Sequence, residues 1–255
     1  MAFHTAAYFQ AAAAGNANVA LPALADGILP LSGNGFLPYK DYKCFMVYAS
    51  GVSLTKARLN SGTIRQVNPS YIRPLNKALL PTSNPNLMWL RMSPFYVQKH
   101  EELDLEFSNN LAMGTENEYG LIWLEDTYES PPVGRYFKIR YTGATAVTAQ
   151  AWSLEPYTLD TALPAGQYAV IDHECISTTG ICARLVFDQQ VERPGVLMQA
   201  SAANRELALT ANGTMGVFGR FFAYSLPRLE LLCNAADSSF EGYITIVKLQ
   251  GGQVP

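Results

Sequence analysis

Along most of the chain, apolar and polar residues alternate with a period of two instead of recurring every three or four positions. Leu103-Asp-Leu-Glu-Phe107 is the clearest case. Leu103, Leu105 and Phe107 fall on the inward face of a strand, and Asp104 and Glu106 on a solvated one. Tyr42-Lys-Cys-Phe-Met-Val-Tyr48 is β-branched and aromatic and stops at Ser50-Gly51. Similar runs predict strands at 63–67, 87–92 and 119–124, then at 136–141, 145–152, 167–172, 182–187, 196–200, 217–224, 229–233 and 243–249. Thr142-Gly143, Pro164-Ala-Gly166, Thr179-Gly180, Arg193-Pro-Gly195 and Asn212-Gly213 supply turns between them. Short strands at this spacing, without long helical periodicity, predict an all-β sandwich or barrel.

Two segments depart from the alternation. The start, with Phe3, Tyr8 and Phe9 and an alanine run to Ala14, stops at Gly15-Asn16. Alanine favours helix and glycine ends it, so a short helical arm is expected that docks on something outside the core. No Lys or Arg precedes its apolar part and Gln10 interrupts it, which argues against a signal peptide. From 19 to 38, Pro22, Gly27, Pro30, Gly33, Gly35 and Pro38 read as an extended linker.

The pattern also repeats. Leu105-Glu-Phe107, Asn110, Ala112, Tyr119 and Ile122 align without gaps on Leu229-Glu-Leu231, Asn234, Ala236, Tyr243 and Ile246. Tandem β domains follow from such a duplication, with a seam near 125–134, where Ser130-Pro131-Pro132 makes a linker. The expected division is an arm and linker over 1–38, a first domain over 39–130 and a second over 131–255.

Composition narrows the function. Of 255 residues, 49% are hydrophobic and 11% aromatic, which excludes a disordered chain. Net charge is −3 with no Lys/Arg block, so sequence-specific nucleic-acid binding is not expected. Charged residues are only 15%, against about 25% in an ordinary soluble domain. Part of this surface is therefore expected to face other copies of the chain. Four cysteines, Cys44, Cys175, Cys182 and Cys233, are too few for a disulfide scaffold at this length.

Candidate chemistry is thin. Asp172-His173-Glu174-Cys175 followed by Cys182 offers zinc ligands, but alternation sets Cys182 opposite Cys175 in a hairpin, and two structural cysteines, free or disulfide-linked, are the preferred reading. Ser53-Leu-Thr-Lys56 matches the Ser-x-x-Lys pattern of penicillin-recognising enzymes without the Lys-Thr-Gly partner or the helix that the pattern needs. Glu102, Asp104 and Glu106 would be the carboxylates of an enzyme, although acids at alternate positions more often form a solvated face. Arg135-Tyr-Phe-Lys-Ile-Arg140 is a modest basic strand whose cations are expected to meet acids of a neighbour or of the other domain. No catalytic, cofactor-binding or metal-binding residue is assigned, and no cofactor is expected.

The layout as a whole resembles the small double-jelly-roll major capsid proteins of tailless icosahedral viruses, including membrane-containing bacteriophages. The likeness lies in the arm at 1–15, the crossing at 19–38, the roll opening at 42–49, Asn/Pro-rich loops such as 68–74 and 81–85, and a second roll of eight readable strands. It implies two tandem jelly rolls and no enzyme activity. It implies homotrimers of pseudo-hexagonal outline that pave a virion shell. Shell neighbours, with minor capsid or penton proteins, would be the partners, and the arm would touch a neighbouring subunit or an internal membrane. The alternative is a β-sandwich binding module, such as a virion spike or a lectin-like carbohydrate-binding protein, with Trp89, Trp123 and Trp152 as its tryptophans.

Overall fold

The computed structural model describes residues 3–11, 19–51, 54–62, 70–72, 87–89, 94–109, 117–144, 148–198, 215–236 and 239–249. The chain divides into two units, Thr5–Asp126 and Met1–His4 with Thr127–Pro255. The described elements are strands, and both units are all-β sandwiches.

The first unit contains β1 (His4–Ala11, entering the unit at Thr5), β2 (Val19–Ala20), β3 (Leu31–Ser32), β4 (Gly35–Phe36), β5 (Tyr42–Ser50) and β6 (Leu54–Asn60). It continues with β7 (Ser70–Ile72), β8 (Leu87–Trp89), β9 (Phe95–Val97), β10 (Asp104–Asn109) and β11 (Asn117–Glu125). One sheet has the order β1-β11-β5-β8, with β9 pairing the other end of β5, and the second has β2-β10-β6-β7. Between the sheets lies one core. Ala6 and Tyr8 of β1, Val47 and Ala49 of β5, and Ile122 and Leu124 of β11 meet Ala57 and Leu59 of β6 and Leu105 and Phe107 of β10. The expected inward face of 103–107 is buried as the alternation requires.

A bulge lets β5 serve this core over its whole length. Its register with β11 shifts between Trp123 and Leu124, which pair with Met46 and Cys44 and leave Phe45 as the extra residue. Tyr42 and Cys44 point inward before the bulge, and Val47 and Ala49 after it.

The second unit contains β12 (Tyr136–Gly143), β13 (Trp152–Glu155), β14 (Thr158–Leu159), β15 (Gln167–Ile176), β16 (Gly180–Val186), β17 (Gly195–Leu197), β18 (Gly219–Phe222), β19 (Arg228–Cys233) and β20 (Phe240–Lys248). Its sheets run β14-β12-β20-β15-β18 and β13-β19-β16-β17. With β3, β4, β9 and β14 set aside as additions, each unit has eight described strands in chain order. In both units one sheet joins the first, eighth, third and sixth, and the other joins the second, seventh, fourth and fifth. The repeat read in the sequence falls on the seventh and eighth strands of each set. Leu105 and Leu229 are both core residues there, as are Ile122 and Ile246.

The arm is a correction. Residues 4–11 form a strand, not a helix; from Thr5 on it is an edge strand of the first unit, and Ala6, Ala7 and Tyr8 are fully buried. Tyr8 Oη donates to the Leu103 carbonyl at 2.6 Å, and its ring meets Phe36 edge-on at 5.1 Å. An isolated short helix is marginal in water, so strand pairing and burial of an aromatic override alanine's preference. The end of the expected arm, 12–18, lies outside the described residues.

The expected linker is also structured. Leu21, Leu29 and Phe36 are core residues, β2 joins the second sheet, and β3 and β4 make a hairpin that turns at Gly33 with φ of 58°. The Asp26 carboxylate accepts the backbone N–H of Ile28 and Leu29 at 2.8 and 2.9 Å, closing the bend at Gly27. Smaller differences concern strand ends. Of the expected strand at 145–152, residues 145–147 lie outside the described residues, and among 148–152 only Trp152 lies in a strand, the first of β13, while the strand read at 167–172 runs on to Ile176. The strand expected at 63–67 lies outside the described residues.

Candidate functional site

The densest candidate cluster sits on β15, and a second bulge decides where its side chains go. The register of β15 with β20 shifts between Val170 and Asp172, so Tyr168 and Val170 face the core before it, and His173 and Cys175 after it. His173 is fully buried, with Nε2 2.7 Å from Tyr141 Oη. Burial pushes its pKa down to about 3, so the imidazole is neutral at ordinary pH. Tyr141 Oη also donates to the Glu174 carbonyl at 3.1 Å, and burial raises its phenol pKa.

β15 and β16 do not form the expected hairpin. They belong to opposite sheets, so Cys182 is not the cross-strand partner of Cys175. All four cysteines are buried and none forms a disulfide. Burial pushes the Cys44 thiol up to about 12 and raises that of Cys182 as well. Among the described residues no group of three or more His, Cys, Asp and Glu stands where it could hold a metal ion.

The acidic strand is not the solvated face that its alternation suggests. Asp104 is half-buried, but Glu106 is buried. Its Oε1 accepts Asn60 Nδ2 at 2.8 Å, and Arg58 binds its Oε2 through Nε and Nη2. Glu230, 124 positions later, is held the same way. Arg184 Nε donates to its Oε2 at 2.8 Å, and Arg193 Nη1 to its Oε1 at 2.7 Å. Arg184 has no exposed side-chain surface and lies with its guanidinium 3.6 Å from the centre of the Trp152 ring. The sequence pattern marked both glutamates as repeat positions but not their arginines, because Arg58 and Arg184 sit on strands whose register becomes visible only in the folded sheets and Arg193 sits in the loop before β17.

The basic strand also finds its acids at home. Lys138 pairs with Glu174, and Arg140 with Glu241 at 2.5 Å and Asp160 at 3.3 Å, all within the second unit. They do not wait for a neighbour or for the other domain. Ser53 lies outside the described residues, while Lys56 is on β6, a strand and not the helix that the acyl-enzyme pattern needs. Trp123 is fully buried and Trp152 is covered by Arg184, so neither is a free binding platform.

No nucleophile–base pair appears among these candidates. What the described surface does offer is apolar contact area: Val133 is 99% exposed, with Tyr136, Leu154 and Val191 more than half exposed in the second unit and Tyr96 in the first.

No known protein-family model matches the chain, and no curated protein matches it. Among solved structures, the crystal structure of the STIV major capsid protein aligns over 97% of this chain and 99% of its own, at 10% identity and a TM-score of 0.26. That likeness is too low to carry an inference.

Proposed function

We propose that the chain is a major capsid protein, a subunit that assembles into a virus shell and works by contact and not by catalysis. The observation that carries this reading is the strand order. An eight-stranded chain that pairs first-eighth-third-sixth in one sheet and second-seventh-fourth-fifth in the other has the winding of a jelly roll, an architecture used by viral capsid and lectin domains. Each unit of this chain has that order. Two such rolls in one subunit give a trimer six similar modules and a pseudo-hexagonal outline. A closed shell needs repeated contacts between copies, and the low charge content and exposed Val133, Tyr136 and Leu154 suit such contacts.

On this reading the partners are other copies of the chain and the minor or penton proteins that close the shell, and the location is the virion. Residues 5–11 pair within the first unit's sheet, and on this reading contact between copies would fall to the exposed apolar surface.

The test is the assembly state of the purified full chain, followed by sedimentation and electron microscopy across ionic strengths and pH. Trimers that associate into closed shells or sheets are expected. A chain that stays monomeric under every condition overturns the proposal.

A further inference from the structure

After β18 the chain turns tightly through Ala223-Tyr224-Ser225, with the Ser225 N–H bonded to the Phe222 carbonyl at 2.8 Å. The turn places Tyr224 85% in solvent, yet its ring is not loose. It stacks on Phe222 with centroids 5.3 Å apart and planes 8° from parallel. One ring face is thereby covered and the other left open, on a turn held by backbone hydrogen bonds.

Beside this pair is a cavity of about 230 Å³. Its polar wall consists of Gln167, Asp188, Gln189 and Arg220. Asp188 accepts the Ser225 hydroxyl, and Arg220 is held by Glu129, so the carboxylate and the guanidinium are fixed before anything binds. An open aromatic face beside planar carboxylate, amide and guanidinium groups has a specific chemical complement. A pyranose presents an apolar C–H face that rests on the negative face of an aromatic ring. Its vicinal hydroxyls point outward in pairs, which planar groups engage two at a time. The volume is below the range of about 300–1,000 Å³ that takes drug-sized ligands, which fits a single ring. Glu129 neutralises Arg220, so Asp188 is left as the net charge on the wall, which disfavours an acidic sugar.

We infer that the turn after β18 is a binding site for one neutral hexopyranose, with Tyr224 as its platform and Asp188 and the flanking glutamines as its hydroxyl readers. This inference does not depend on the shell reading. A site on a capsid surface would meet terminal sugars of host glycans, and the same site on a free module would be a lectin site.

The experiment is saturation-transfer NMR on the purified full chain, with the methyl glycosides of glucose, galactose, mannose and N-acetylglucosamine as probes. Saturable, millimolar binding of at least one is expected. Tyr224→Ala and Asp188→Asn should each weaken it at least tenfold, while Tyr224→Phe, which keeps the ring, should retain it. Thermal unfolding of Tyr224→Ala should match the parent, because the residue is exposed. No transfer to any of the four probes overturns the inference. So does unchanged binding in Tyr224→Ala, or an effect of that variant on association between copies alone.

Discussion

Glu106 and Glu230 stand at one place in two sheets, each facing an arginine across the same pair of strands, Arg58 on β6 and Arg184 on β16. The surroundings differ in exposure and in the second partner, which for Glu106 is Asn60. Arg58 keeps 24% of its side chain in solvent, whereas Arg184 keeps none and shares Glu230 with Arg193.

Removing the two carboxylates should therefore have unequal effects. Glu230→Gln strands a fully buried guanidinium and leaves two arginines without the charge between them, which should cost about 3–5 kcal/mol. After Glu106→Gln, Arg58 can turn toward water and Asn60 keeps an amide partner, so a loss of about 1–3 kcal/mol is expected. Urea unfolding of both variants checks the order, and equal losses would contradict it. Replacing the buried pair together, Arg184→Met with Glu230→Leu, should recover much of the Glu230→Gln loss, because no uncompensated charge then remains between those two strands.

Gly120 and Leu105 offer a second test, on how closely the two sheets of the first unit approach. A Cβ at Gly120 on β11 would overlap Cδ2 of Leu105 on β10, the neighbouring side chain of the opposite sheet. Gly120→Ala should overpack the core and cost about 1–3 kcal/mol. Leu105→Ala should cost about 2–5 kcal/mol by leaving a cavity. The double variant should be more stable than the sum of the two losses allows, since the new methyl enters the space that the leucine vacates. Additive losses in chemical denaturation would mean that the two positions do not share that space.

The strands that were legible in the sequence are those whose alternation matches one buried face, such as β10, or whose residues are aromatic and β-branched, such as β5. The repeat was legible because Leu105 and Leu229, like Ile122 and Ile246, occupy equivalent core positions. β1 was hidden because its alanines score as helix, and the information that makes it a strand is carried by β11, more than a hundred residues away. β2, β3 and β4 have two residues each, too few to show a period among prolines and glycines. Glu106 looked solvated because alternation assigns a face but not what covers it. The candidate chemistry of β15 failed for a related reason: a bulge at Ile171 turned His173 into the core, and no local pattern announces a bulge. Tyr224 read as the end of a strand, and its exposure follows from the turn that places it beyond β18.

His173 makes the buried side of β15 measurable by pH. In the folded chain its pKa is near 3, and in the unfolded chain it returns to the ordinary histidine value of about 6.5. Between these values the unfolded state binds a proton that the folded state refuses. Stability from this residue is therefore complete above about pH 6.5 and falls as the solution is acidified. Between pH 6 and pH 5 the loss should be about 1.2 kcal/mol from this residue alone, in a range above the titration of ordinary carboxylates. His173→Gln keeps a hydrogen-bonding side chain for Tyr141 but cannot take up the proton. Urea unfolding at the two pH values should show the parent losing that much more than the variant, whatever the other histidines contribute to both. Identical pH slopes would mean that His173 is protonated in the folded chain and that water reaches it beside Tyr141.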